Sequence, residues 1–490
     1  MPISLVIALV LAFGVPWDTA PLPTPWPLVV LGLAVLVQFA SSRAMGWAIA
    51  RRMSGLGLGS PRGRSWWVRG LRGLSVLSLL LYLLLLVEVG WFEFVKTKLG
   101  IDGVPLLGEV LVLAPFLLIQ LAGWLGQSVL DQTLAQSLGG AGLLRSRLSS
   151  VMLRARQAWG LVLPSALIYA IGFEVISAFT PNAFESPTTQ LLSVALLGSI
   201  VLMAAPLFVR LAWPTRSLPP GLLRGRLEAT ARRLGFRFND ILIWDTGHTL
   251  LNAGVTGTLP WFRYVLLTDA LIEALEEDQV AAVFGHEVGH VAHRHLAYFG
   301  FLCLGSLGLL ALLAQALSTF GVATLDQVPA GWMRDGLAGV LDAGIALGFL
   351  GIYFFTVIGF LSRRFERQAD VYGCRSLVDI KKTVETTAVG PGEMVVVHAA
   401  PSDDTLSLRS VQTFTSALVR VAIINGLEPS ARSWRHGSIA RRIAFLESLA
   451  GRPDALMAFD RRMRRLRLAV ATALLACLAI ATATGALDHL

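Results

Sequence analysis

The residues best equipped for chemistry lie in the run His286-Glu287-Val288-Gly289-His290. The stretch before it, from Glu277 to Gly285, reads as a helix with acids near its start. Positions four apart share a helix face, so His286 and His290 can offer two imidazoles to one ion. Glu287 sits beside the first of them and can reach a water bound there. This is the HExxH pattern, two zinc ligands and a general base. Zinc lowers the pKa of its bound water to about 7, which makes hydroxide available at neutral pH. The motif also arises by chance in long chains, where it carries no metal. Here the chain holds only eight histidines, and His286, His290, His293 and His295 are four of them. Gly285 and Gly289 leave room around a metal, at a cost in helix stability.

A catalytic zinc site takes three protein ligands and an open position. The metzincin pattern requires Gly at 293 and His at 296, but the chain has His293 and Leu296, so that class is excluded. A later helix offers Arg363-Arg364-Phe365-Glu366-Arg367-Gln368-Ala369-Asp370. Glu366 and Asp370 are four apart on one face. Glu366 can be the third ligand while Asp370 accepts an N–H from a ligand histidine, as the partners of metal-bound histidines do. The bland alternative is a surface helix whose acids pair with Arg363, Arg364 and Arg367. The position of the segment, directly after a hydrophobic pair that returns the chain to the same side, favours the metal. His293 and His295 read as supporting or membrane-interface residues rather than ligands, and His248 and His398 have no motif around them.

The elements that must position these residues lie in an unusually apolar chain. It has 490 residues, 54% hydrophobic and only 15% charged, with a mean hydropathy of +0.65. Soluble domains average about 25% charged residues, so a disordered chain and an ordinary cytosolic enzyme are both disfavoured. A crossing helix needs about 20 mostly apolar residues. Nine segments are candidates, the first of them short and interrupted by Pro16: 1–17, 26–48, 73–94, 110–130, 157–180, 186–209, 296–325, 343–362 and 468–487. The net charge of +9 sits in alternate loops, at Arg51, Arg52, Arg62, Arg64, Arg69 and Arg72, at Arg145, Arg147, Arg154 and Arg156, and at Arg461 through Arg467. By the positive-inside rule that side is the cytoplasm, so nucleic acid is not the expected partner of the basic charge. Three widely spaced cysteines provide neither a disulfide framework nor a CxxC site.

This patterning divides the chain into a transmembrane region of about six helices over 1–210, a first part of the polar domain carrying HExxH over 211–297, and a transmembrane hairpin over 298–362. A second polar part with the third ligand covers 363–467, and a C-terminal transmembrane helix covers 468–490. The stretch 386–404 reads as a loop or short hairpin. The expected setting is an integral, multi-pass membrane protein of a bacterial inner membrane, with its polar domain in the cytoplasm.

HEVGH, two hydrophobic spans and then RRFERQAD resembles the membrane-embedded zinc metallopeptidases that include the type I CAAX prenyl endopeptidases and the HtpX-like quality-control proteases. Asn252-Ala253-Gly254-Val255-Thr256-Gly257 is similar to that family's edge-strand segment, and Tyr264–Asp269 to the strand before the zinc helix. His436-Gly437-Ser438-Ile439-Ala440-Arg441-Arg442-Ile443 resembles its downstream segment, with Gly437 in place of a proline. The likeness covers about 218–449. It implies a mainly α fold, a polytopic helical membrane protein whose gluzincin-type domain contains a small β-sheet. It further implies one Zn2+ per chain on His286, His290 and Glu366, with Glu287 as base. Asn252 then lies beside the scissile peptide on an edge strand that a substrate extends. His436 stabilises the oxyanion, and Arg442 organises the site or binds a carboxylate.

The leading expectation is therefore a membrane-bound zinc endopeptidase acting on a protein or peptide at the cytoplasmic face, with the bilayer as its surroundings. Two alternatives stand beside it. An intramembrane site-two-type protease also carries HExxH, but buries it in a crossing. Here Glu276, Glu277, Asp278, His293, Arg294 and His295 flank the motif, and Leu341-Asp342-Ala343-Gly344 only weakly echoes that class's carboxylate segment. The other alternative is a transporter or scaffold with a relic metal site. Substrate identity and oligomeric state are not legible.

Overall fold

In the computed structural model the described residues are 3–13, 17, 19–53, 61–100, 106–137, 146–180, 182, 187–248, 250–325, 348–349, 351–377, 405–431 and 433–485. The expected loop at 386–404 and the weak echo at Leu341–Gly344 lie outside them, as does the first part of the expected crossing over 343–362.

Two compact units emerge. The first comprises Met1–Pro220, Arg237–Ala274 and Val421–Leu427. It begins with helices α1 (Ile3–Phe13), α2 (Trp26–Met53), α3 (Pro61–Val87), α4 (Leu107–Ser137), α5 (Arg147–Trp159), α6 (Val162–Phe179) and α7 (Pro187–Ala212). Tyr82, Leu85, Leu86, Phe116 and Ile119 form a fully buried cluster among them. Large apolar side chains such as Leu28, Leu33, Leu36, Leu80 and Leu192 stay exposed, as on helices whose solvent is lipid. Stretches long and apolar enough to cross a membrane are Trp26–Arg51, Trp66–Val87, Leu107–Ser128, Val162–Phe179 and Ala195–Ala212. The expected crossing at 157–180 is two helices, because Gly160 caps α5 and α6 starts afresh at Val162. The six arginines expected in the loop lie within helices, Arg51 and Arg52 in α2 and Arg62, Arg64, Arg69 and Arg72 in α3. Ser4–Phe13 is apolar but short.

After α7 the apolar periodicity gives way to short β-branched runs, which favour strands. These are β1 (Thr215–Ser217), β2 (Asp240–Trp244), β3 (Ala253–Thr256) and β4 (Tyr264–Thr268), in the order β1-β2-β4-β3. β2 and β4 run parallel at the centre, and the outer pairs are antiparallel. All five residues of β4 are buried, whereas β3 is partly exposed along its length and forms one edge.

The second unit comprises Gly221–Phe236, Leu275–Arg420 and Glu428–Leu490. It contains α8 (Leu222–Arg233), the metal-motif helix α10 (Glu277–Ala292), α11 (His295–Leu325), α12 (Gly359–Ser376), most of α13 (Leu408–Ile424), α14 (Ile439–Leu449) and α15 (Pro453–Ala483); α9 (Asp269–Ala274) belongs to the first unit. Its core is built on Ala282, Val371, Cys374, Val411, Phe414 and Leu446, and a second cluster gathers Leu302, Tyr353, Leu361, Phe365 and Met463. α15 is one continuous helix that contains a sixth candidate span. The three cysteines are unpaired.

Candidate metal centre

The N-terminus of α10 is closed by a reciprocal cap. The Glu276 carboxylate accepts a backbone N–H from the first turn, and Gln279 Oε1 accepts the Glu276 N–H at 3.1 Å. Glu277 and Asp278 then place negative charge at the positive end of the helix dipole, and Arg226 pairs with Asp278. The C-terminus stops at His293. Arg294 adopts a left-handed backbone, φ 55°, and α11 begins at His295. The HExxH segment is therefore a helix of its own, separated by a break from the apolar helix that follows. An intramembrane protease would instead carry the motif inside a crossing.

α12 packs against α10 at the positions without side chains. A Cβ on Gly285 would fall 1.9 Å from Ser376 Oγ, and one on Gly289 would fall 2.9 Å from Tyr372 Cβ. These glycines make room for a neighbouring helix rather than for the metal. The close approach brings Glu366 and Asp370 over the histidines. One donor atom from each of His286, His290 and Glu366 lies within 4.8 Å of the others. The two histidine Nε2 atoms are 3.2 Å apart, and each stands 3.8 Å from a different oxygen of Glu366. Two imidazole nitrogens and a carboxylate oxygen converging this closely are the donor set of a zinc site with an open position. Glu287, the residue after the first histidine, is partly buried beside this group.

Charge is balanced around the cluster. Asp370, fully buried, lies 2.9 Å from His286 Nδ1. Arg442 grips Asp370 through Nε and Nη2 and stands 3.4 Å from Glu366. His436 Nδ1 is 2.8 Å from Glu366 Oε1, and its side chain is half exposed. Burial disfavours charge on Glu366, but the His436 hydrogen bond and the Arg442 guanidinium outweigh it and hold the carboxyl well below its usual range. Asp370 is likewise lowered by Arg442 and His286 against the cost of burial. Burial opposes charge on His286 as well, yet Asp370 and Glu366 raise it above an ordinary histidine. Burial and the neighbouring His286 charge push His290 down to about 4. Burial pushes Glu287 up to about 7, with the Glu366 charge adding to the shift. A carboxyl titrating there is poised to take or give a proton at neutral pH.

Gly437, at the position where the resemblance predicts proline, has a backbone that only a non-proline residue can take. Its φ is +73°, which proline cannot adopt. Its N–H donates to Ser433 O at 2.9 Å and its carbonyl accepts from Ser433 N at 3.0 Å. This tight reversal presents His436 to Glu366, after which Ser438 caps α14 and so sets the position of Arg442.

Asn252 belongs to the first unit. It is exposed and precedes the edge strand β3, anchored by its N–H to Thr268 Oγ1 at 3.0 Å and by its carbonyl from Thr268 N at 3.0 Å. His248 bridges toward Asp269 and Glu273 in the same unit. Sequence reasoning gave no partners to Phe414, which stacks on His286 at 5.8 Å, to Gln368, or to Phe365, whose ring lies 4.3 Å from that of His295. The only signal was periodic: Phe365, Gln368 and Tyr372 follow the spacing of one helix face.

The described residues thus combine several candidate spans, a small mixed sheet and a largely buried His-His-Glu group beside a glutamate. Residues 221–448 match the family model for Peptidase family M48. The chain is 24% identical over 259 residues to CAAX prenyl protease 1 of Saccharomyces cerevisiae, a match covering 46% of this chain and 56% of that protein. It is also 24% identical over 259 residues to the protease HtpX homolog of Pyrobaculum calidifontis, covering 53% and 71% respectively. The chain thus spans little more than half the length of the yeast relative. A crystal structure of S. mikatae Ste24p aligns over 87% of this chain and 100% of that one, with 17% identity and a TM-score of 0.46.

Proposed function

We propose that this protein is a membrane-bound zinc-dependent endopeptidase whose site faces the cytoplasm, with a protein or peptide as substrate. The observation that carries the reading is the convergence of His286, His290 and Glu366 beside Glu287. Zinc held by those three residues would supply a Lewis acid and water of lowered pKa. Glu287, near neutrality in its pKa, takes the proton of the attacking water and hands it to the leaving amine. His436, half exposed above Glu366, donates to the oxyanion as it forms. Arg442 keeps Asp370 and Glu366 ionised and in place. The outer edge of β3 offers main-chain hydrogen bonds to an extended substrate, with Asn252 just before the strand binding the added chain. The Arg-rich ends of α2, α3 and α5 and of the polar half of α15 support the cytoplasmic orientation.

The full chain, purified in detergent and loaded with zinc, should cleave an unfolded reporter protein. Cleavage should stop on chelation, return with zinc, and be absent in Glu287→Gln. A zinc-loaded wild type with no cleavage of unfolded, membrane-anchored or prenylated peptides would overturn the peptidase reading.

A further inference from the structure

His295 follows His290 by five residues, which on a continuous helix would turn it about 140° away from that histidine. The break at Arg294 cancels the rotation. With Arg294 left-handed at φ 55°, the first residue of α11 folds back beneath the end of α10. His295 Nδ1 then lies 2.9 Å from His290 Nδ1, and His295 Nε2 lies 3.2 Å from Gln368 Oε1 on α12. Both partners are deeply buried, His295 at 2% exposure and Gln368 at 4%. The His295 ring lies almost flat on Phe365, with ring centres 4.3 Å apart and planes 7° apart. Phe365 in turn precedes Glu366 on the same helix.

These contacts form a directional chain. With Gln368 presenting its amide oxygen, which can only accept, the hydrogen of His295 lies on Nε2. A neutral imidazole carries one such hydrogen, which leaves a lone pair on His295 Nδ1. His290 must therefore donate from its own Nδ1. Its single hydrogen being there, its Nε2 is bare, and that is the nitrogen that faces His286 Nε2 at 3.2 Å and Glu366 Oε1 at 3.8 Å. The tautomer of a metal-binding histidine is set by the hydrogen bond its other nitrogen makes.

We infer that Gln368 and His295 form a positioning relay that fixes His290 in its Nδ1–H tautomer and aims its Nε2 lone pair at the metal. Neither residue touches metal or substrate. His286 is held differently, by the Asp370 carboxylate at 2.9 Å. The two ligand histidines thus have unlike supports, one anionic and one neutral. A neutral support adds no charge to a centre that already holds Glu287, Glu366 and Asp370. The inference rests on the zinc reading proposed above.

The test uses full-length protein in detergent, with zinc affinity read by chelator competition and ligand geometry by the visible absorption of the Co2+-substituted protein. His295→Phe keeps an aromatic ring for the stack on Phe365 but removes both nitrogens. It should weaken zinc binding by about 10–100-fold, the usual effect of losing such a partner. Gln368→Leu should weaken it in the same direction and alter the cobalt spectrum. Gln368→Glu, which still accepts from His295, should bind zinc at least as tightly as the wild type. A packing role for Gln368 gives the opposite order, because leucine fills the buried space and a carboxylate there is costly. Unchanged zinc affinity in both His295→Phe and Gln368→Leu overturns the relay, as does retention in Gln368→Leu with loss in Gln368→Glu. If His295→Phe does not fold, the two Gln368 variants decide alone. Failure of the wild type to take up zinc would instead overturn the metal reading itself.

Discussion

Arg442 holds Asp370 in a two-pronged grip, Nε donating to Oδ2 at 2.8 Å and Nη2 to Oδ1 at 2.5 Å, and the aspartate has no solvent exposure at all. Removing the cation would leave a buried charge without its partner, which typically costs about 3–5 kcal/mol. Arg442→Met should lower the unfolding free energy of the metal-free protein by that order, and denaturant unfolding of the second unit would measure it. The pH dependence follows from the lowered pKa of Asp370. Its stabilisation is complete above the ordinary aspartate value of 3.8 and is lost as pH falls through the depressed folded value. The advantage of the wild type over Asp370→Asn should therefore be full at pH 7 and shrink only below about pH 4.

Ligands and base should separate cleanly. His290→Ala and Glu366→Ala should lose bound zinc, whereas Glu287→Gln should keep it and lose peptidase activity. Elemental analysis of the purified variants checks the first part, and full occupancy in both alanine variants would defeat the ligand assignment.

Glu287 also makes a stability prediction of opposite sign to that of Asp370. Its folded pKa is raised from 4.5 to about 7. The stability linked to its protonated form is present below 4.5 and lost as pH rises through 7. Metal-free Glu287→Gln should therefore gain on the wild type between those values, by up to a few kcal/mol. Thermal melts across this window would show it.

Zinc uptake should release protons. His290 is neutral at pH 6, because its pKa lies near 4. His286 is raised above its usual 6.5 and must lose its proton to become a ligand. Proton release per zinc should therefore be larger at pH 6 than well above neutrality, with His286 and Glu287 as its sources. Calorimetry in buffers of differing ionisation enthalpy gives the number.

His436→Ala should retain zinc but lose at least about tenfold in turnover, since a lost oxyanion donor usually costs about 100–1,000-fold. Asn252→Ala should act on substrate binding and raise the apparent KM. Wild-type turnover in His436→Ala would reduce that residue to a support for Glu366.

Gly285→Ala should destabilise the protein, by about 1–3 kcal/mol. Helix propensity alone predicts the reverse, a gain of about 1 kcal/mol. The added Cβ would meet Ser376 Oγ at 1.9 Å and Ser376 Cβ at 2.6 Å, so Ser376→Gly should rescue the variant.

Local spacing decides which residues can share an element. Helical periodicity puts His286 and His290 on one face and Glu366 and Asp370 on another, and the length of the apolar runs names most of the long helices. β3 and β4 are expected only through the resemblance of Asn252–Gly257 and Tyr264–Asp269, and β1 and β2 came from the tertiary structure. Spacing has no access to distances between elements, so other features waited for the tertiary structure. Gly285 and Gly289 proved to be the sites of close helix approach, because the third ligand lies on α12 and only bare backbone lets it near. Gly437 takes a positive φ that proline cannot adopt. His295 lies five residues past His290, off its face on any regular helix, and its role as a partner of His290 exists only because one left-handed residue, Arg294, turns the chain back.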